Sequence, residues 1–98
     1  MSMRLTREAF AHPGYFPKLD GVKAINGKHQ KGIEKALIWS RVVDYFVDQA
    51  ARAEDIGDEK TERRMLQKEE QAFNRYQGYF EALPKREKSI VIKAYEEV

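Results

Sequence analysis

The sequence predicts an all-α fold: a long antiparallel helical hairpin with a short C-terminal helix and an irregular N-terminal arm. Three observations carry that expectation. From Lys31 to Asp55 the chain has no Gly or Pro after Gly32, and its apolar residues recur at helical spacing. "IGD" at Ile56–Asp58 then reads as a helix stop followed by a helix start, with Gly57 suited to a left-handed C-terminal residue and Asp58 to an N-cap. A second amphipathic run follows and ends at Pro84, which cannot continue a helix. The expected division is one domain over 1–98: an arm over 1–30 and helices over 31–55, 58–83 and 84–97.

The arm contains "GYFPKLDGVKAINGKHQKG", Gly14 to Gly32, which keeps neither the helical nor the strand repeat for long. Asp20-Gly21 and Asn26-Gly27 are turn signals, each suited to a tight hairpin turn. Its apolar residues Tyr15, Phe16, Leu19, Val22 and Ile25 are expected to lie on the first long helix, which makes the arm ordered and part of the functional surface. A short helix capped by Thr6 is expected at "TREAF".

The first long helix carries two apolar stripes. Ile33, Leu37, Ser40, Val43, Val47 and Ala50 form one, and Ile38, Trp39, Val42, Tyr45, Phe46 and Gln49 the other, leaving a narrow solvated band through Arg41, Asp44, Asp48 and Arg52. A helix apolar on most sides must be covered on most sides. The first stripe is expected to pack within the hairpin. Ile38, Trp39, Val42, Tyr45 and Phe46 are expected to be covered by the arm and by a second copy of the chain, as the interface of a homo-oligomer.

The second long helix is amphipathic on one side, through Leu66, Phe73, Tyr76, Phe80 and Leu83, widened by Met65, Ala72 and Tyr79. Glu69 falls within that stripe and needs either solvent or a cationic partner. Pro84 is placed to open the last helix, whose inner face is Ile90, Val91, Ala94 and Tyr95.

Composition narrows the chemistry. Eighteen Lys plus Arg against 16 Asp plus Glu leave a net charge of +2 in 98 residues, too small to impose nucleic-acid or membrane binding on the whole molecule. With no cysteine, disulfides, thiolate nucleophiles and cysteine-based zinc sites are excluded. No apolar signal region opens "MSMRLTREAFAH", and no later run approaches the length of a membrane span, so the expectation is a soluble, cytoplasmic protein. His12, His29 and Asp20 lack metal-ligand spacing, so no metal is expected. Ser2, Ser40 and Ser89 have neither a neighbouring His nor a nucleophile-turn signature, so catalysis is not expected and no cofactor is implied.

Leu83 to Tyr95, "LPKREKSIVIKAY", resembles the opening of DNA-binding region 4 of bacterial sigma factors, where Leu-Pro and a charged turn start a supporting helix. The helix-turn-helix that reads DNA in that family has no counterpart before Val98, so no function is carried over.

Two function classes follow. The first is a non-catalytic protein that binds and modulates another protein, similar in size and composition to small accessory or inhibitor proteins of phages and plasmids. The second is a binder of a phosphate-bearing ligand, a nucleotide or a nucleic acid. It would use Tyr15, Phe16, Lys18, Lys23, Lys28, His29 and Lys31, where aromatics for stacking alternate with cations and "NGKHQKG" leads into a helix N-terminus.

Overall fold

The computed structural model describes residues 22–96. Within them the chain forms a 3₁₀ turn at Gly27–His29 and three α-helices: α1, Gln30–Asp55; α2, Glu59–Glu81; and α3, Lys85–Glu96. The described residues contain no strand, as expected for the class, and the helices begin and end within a few residues of the positions read from the sequence. Tyr15, Phe16, Lys18, Leu19 and the "TREAF" helix lie outside the described residues.

The α1–α2 hairpin is set by its three-residue turn. Gly57 takes a φ of +76°, a backbone conformation that side-chain-bearing residues rarely adopt. Its N–H donates to the Glu54 carbonyl at 3.0 Å, and Asp58 N–H donates to Ala53 at 2.9 Å. These two bonds close the last turn of α1 as a Schellman motif. The Asp58 carboxylate then accepts from Thr61 N–H at 3.1 Å and caps α2. Those hydrogen bonds from Thr61 hold the Asp58 carboxyl below its ordinary range. At the other end Pro84 stands just outside α3, and its carbonyl accepts from Lys88 N–H at 2.9 Å.

Two apolar clusters run along the hairpin. Towards the tip, Trp39, Val42, Tyr45, Phe46 and Ala50 of α1 pack with Met65 and Ala72 of α2. At the base, Ile33, Ala36 and Leu37 meet Leu83 and Val91 of α3. Tyr76 and Tyr79 touch both clusters and make them one core. Packing at the base is close: a Cβ on Gly32 would sit 3.2 Å from a Leu83 methyl.

Both apolar stripes of α1 are covered over most of their length: Ile33, Leu37, Ser40 and Ala50 of the first are buried as expected, and Val47 is its exposed member. Trp39, Val42, Tyr45 and Phe46 are buried within one chain, and Ile38 is half-buried against the same cluster. Cover for these five residues is thus supplied at least in part within one chain, by Met65 and Ala72 of α2. Val47, assigned to the inner stripe, is 43% exposed, and Leu66 and Phe73 of α2 are 46% and 44% exposed. Met65 and Ala72 of α2 pack against residues of both stripes, Trp39, Val42, Tyr45 and Phe46 of the second and Ala50 of the first. The inner face of α2 is accordingly turned away from Leu66 and Phe73.

The segment before α1 does not form a hairpin at Asn26-Gly27. Asn26 caps the 3₁₀ turn instead, its side-chain oxygen accepting from Lys28 N–H at 3.1 Å. Val22 and Ala24 pack on the base cluster rather than on Trp39, and Ile25 is exposed. Two side chains hold the segment in place. Gln30 accepts from Ala24 N–H at 2.7 Å and donates to the Val22 carbonyl at 2.8 Å. Glu87, only 3% exposed on α3, accepts from the backbone N–H groups of Ile25 at 3.2 Å and Asn26 at 3.0 Å.

Two outcomes follow. Glu87→Ala leaves two backbone donors without their carboxylate and is expected to cost about 2 kcal/mol in urea unfolding, with faster amide exchange at Ile25 and Asn26. Unchanged exchange there would show that Glu87 does not hold the segment. For Asp58, whose carboxyl is depressed from 3.8 in the fold, stability is present above the unfolded value and is lost as pH falls through the folded one. Asp58→Asn keeps the cap acceptor without the charge, so its melting temperature is expected to fall less steeply than wild type between roughly pH 4 and pH 2.

Candidate interaction groove

α3 lies between α1 and α2 at the base of the hairpin and covers only part of its length. Glu87, near its start, is bonded to the segment that enters α1, whereas Tyr95, near its end, reaches Arg41 and Asp44 more than a helical turn further along α1. α3 therefore runs parallel to α1 and antiparallel to α2. Beyond Tyr95 the groove between α1 and α2 continues towards the tip without a third helix.

Where α3 stops, the groove opens as a cleft of about 200 Å³ lined by Ser40, Val43, Asp44, Phe73, Tyr76 and Tyr95. Its walls are aromatic. Phe73 and Tyr76 lie with ring centroids 6.1 Å apart, and Tyr76 stacks on Phe80 at 5.4 Å. Past the cleft, Val47 and Leu66 continue the apolar lining. Val43 and Val47 are one turn apart on α1, and Leu66 and Phe73 are two turns apart on α2, so each pair shares a helix face.

The polar end of the cleft is a closed cluster. The Tyr95 O–H donates to both Asp44 carboxylate oxygens, at 2.9 and 3.1 Å. Arg41 lies with its guanidinium 4.6 Å from the Tyr95 ring centroid, one terminal nitrogen donating to Asp44 at 3.2 Å and the other to the Tyr95 carbonyl at 3.1 Å. Burial raises the Tyr95 phenol above its ordinary value, and the hydrogen bond to Asp44 adds to the rise. Tyr95 is thus a neutral donor throughout the physiological range. The solvated band expected on α1 is corrected here: Asp48 and Arg52 are exposed, but Arg41 is 8% exposed because Tyr95 lies across it. Its Nε is buried with no hydrogen-bond partner among the described residues.

The cations assigned to a phosphate ligand stand elsewhere. Lys23, Lys28 and Lys31 are exposed and His29 is half-buried on the segment entering α1. Three of the N–H groups there are engaged: Lys28 donates to the Asn26 side chain, His29 to the Asn26 carbonyl and Gln30 to the Gly27 carbonyl. The Ser40 hydroxyl donates to the Leu37 carbonyl at 2.7 Å. Among the described residues no group of three His, Asp or Glu is placed to hold a metal, and no helix is long and apolar enough to cross a membrane.

Sequence reasoning did not single out Val43, Leu66 and Phe73 as an open face, because their spacing is that of a core stripe. It also missed Glu87 and Gln30, whose roles depend on a segment with no periodic signal. Comparison with known proteins finds no match: no family model fits the chain, and no curated protein or solved structure matches it significantly.

The Arg41 cluster generates a graded expectation. Tyr95→Phe removes the bond to Asp44 but keeps the ring over the guanidinium, and is expected to cost about 1 kcal/mol, the part-exposed setting discounting the usual worth of a charge-assisted bond. Tyr95→Ala also uncovers Arg41 and opens the end of the cleft, and is expected to cost about 2–3 kcal/mol. Equal costs in chemical denaturation would assign no role to the ring.

Proposed function

We propose that the chain is a non-catalytic interaction protein that binds another protein through the groove between α1 and α2 beyond the end of α3. One observation carries this reading: Phe73, which lines the cleft with Val43 and Tyr95, and Val47 and Leu66, one turn from Val43 and two turns from Phe73, are each more than two-fifths exposed. Single exposed apolar residues are ordinary on a surface, but a row of them along one concave face marks a contact site. The polar groups of the cleft support binding rather than turnover. Ser40 Oγ is engaged by a backbone carbonyl, and Asp44 is bonded to Arg41 and Tyr95. Among the described residues no base is hydrogen-bonded to the Ser40 hydroxyl.

The reading is tested by photocrosslinking in the cells that make the protein, with a benzophenone amino acid placed at position 73 or, as an outward control, at Gln71. The expected result is an adduct with a different protein from position 73 and none from position 71. Absence of any adduct at 73, or adducts only within the chain or with a second copy, would overturn it.

A further inference from the structure

The open part of the groove is bordered by carboxylates. On α2, Glu62 and Glu69 flank Leu66 on the face that also carries Phe73, at spacings of seven, three and four residues. Across from them Glu54 follows Val47 on α1 by two turns. Glu54 is exposed, Glu62 and Glu69 are half-buried, and none of the three makes an ion pair among the described residues. Of the nearby cations, Arg63 is three residues before Leu66 but on its outer side, about 160° round the helix from buried Met65, whereas Glu62 and Glu69 lie on its inner side at about 60° and 40°. Lys93 is on the side of α3 away from buried Val91.

α3 shows what this groove accepts. At the base of the hairpin it is a helix parallel to α1 that turns Val91 and Ala94 onto Ile33, Leu37 and Leu83. From Val43 to Glu54 the vacant stretch measures about 17 Å, the length of roughly three helical turns. We infer that this stretch takes a cationic amphipathic helix of a partner protein, about three turns long and laid end to end with α3. Its apolar residues meet Val43, Val47, Leu66 and Phe73, and its Lys or Arg residues meet Glu54, Glu62 and Glu69. Half-buried carboxylates facing such a helix gain charge-assisted bonds where they now have none. The same three acids disfavour the other occupants: a second copy would bring them against themselves, and a phosphate would meet charge of its own sign.

This inference rests on the groove being the docking surface, and the experiment separates the two. Three fluorescein-labelled 14-residue peptides are titrated with the full chain and followed by anisotropy. The first is an amphipathic Leu/Lys helix, the second has Glu in place of every Lys, and the third is the first with a central proline. The cationic helix is expected to bind, the other two at least tenfold more weakly. Glu62→Lys with Glu69→Lys should weaken it at least tenfold, and so should Phe73→Ala, which keeps the proposal testable if the double variant does not fold. Binding should also weaken between 50 and 300 mM salt. Equal binding of the cationic and acidic helices through Phe73 would overturn the cationic partner and leave the docking groove standing. Crosslinking at position 73 without binding of any of these peptides would overturn the helix. Sedimentation showing a dimer that Phe73→Ala dissolves would place a second copy in the groove and overturn the inference.

Discussion

The arrangement depends on a mismatch of lengths. The hairpin helices have 26 and 23 residues and α3 has 12, so α3 is about 18 Å long against a hairpin of about 35 Å or more. Two amphipathic helices packed side by side leave a groove on each side of their contact line, and a third helix that short covers half of one. The position of α3 along the hairpin therefore decides which apolar residues are core and which remain open. Polar groups fix that position at both ends. Glu87 ties its first turn to the backbone at Ile25 and Asn26, and Tyr95 ties its last turn to Arg41 and Asp44. Apolar packing of Val91 alone is non-directional and would tolerate sliding; the directional bonds do not.

Arg41 shows the cost of this arrangement. A buried guanidinium is expensive unless its donors are met. Here Asp44, the Tyr95 carbonyl and the face of the Tyr95 ring meet most of that demand, leaving Nε without a partner among the described residues. Tyr95 is suited to the place because its ring covers the cation while its hydroxyl bonds the counter-anion, a combination that neither Phe nor Ser supplies. The cluster closes one end of the cleft, with Asp44 and Tyr95 in its lining.

The helices were legible in the sequence wherever a residue acts on its own backbone. Gly57 ends α1, Asp58 caps α2 and Pro84 bounds α3, because positive φ, an acceptor side chain and a missing N–H are local properties. Which apolar residues of α1 stay open was not legible. Both stripes are mostly covered, the first at the base by α3 over Ile33 and Leu37, and Val47 lies beyond the Tyr95–Asp44 contact that marks the end of α3. Leu66 and Phe73 read as core by the same logic, since periodicity records where apolar residues recur and not what lies over them. Glu69 was the one sequence signal of an open face. A carboxylate set between Leu66 and Phe73 is incompatible with a dry interior, and in the structure it is half-buried with no ion pair among the described residues.

The charge of the chain has to be read locally for the same reason. A formal +2 sums 18 basic and 16 acidic side chains, but the two signs are not mixed evenly over the described surface. Exposed Lys23, Lys28 and Lys31 cluster on the segment that enters α1, at the base of the hairpin, whereas Glu54, Glu62 and Glu69 border the groove towards its tip. At physiological ionic strength a charge is screened over about 8 Å. The helical rise puts Lys31 and Glu54 roughly 35 Å apart, so the two ends present separate fields to an approaching molecule. A partner of the proposed kind would meet carboxylates around an apolar floor, and that local field, not the small positive sum, is what it would be matched to.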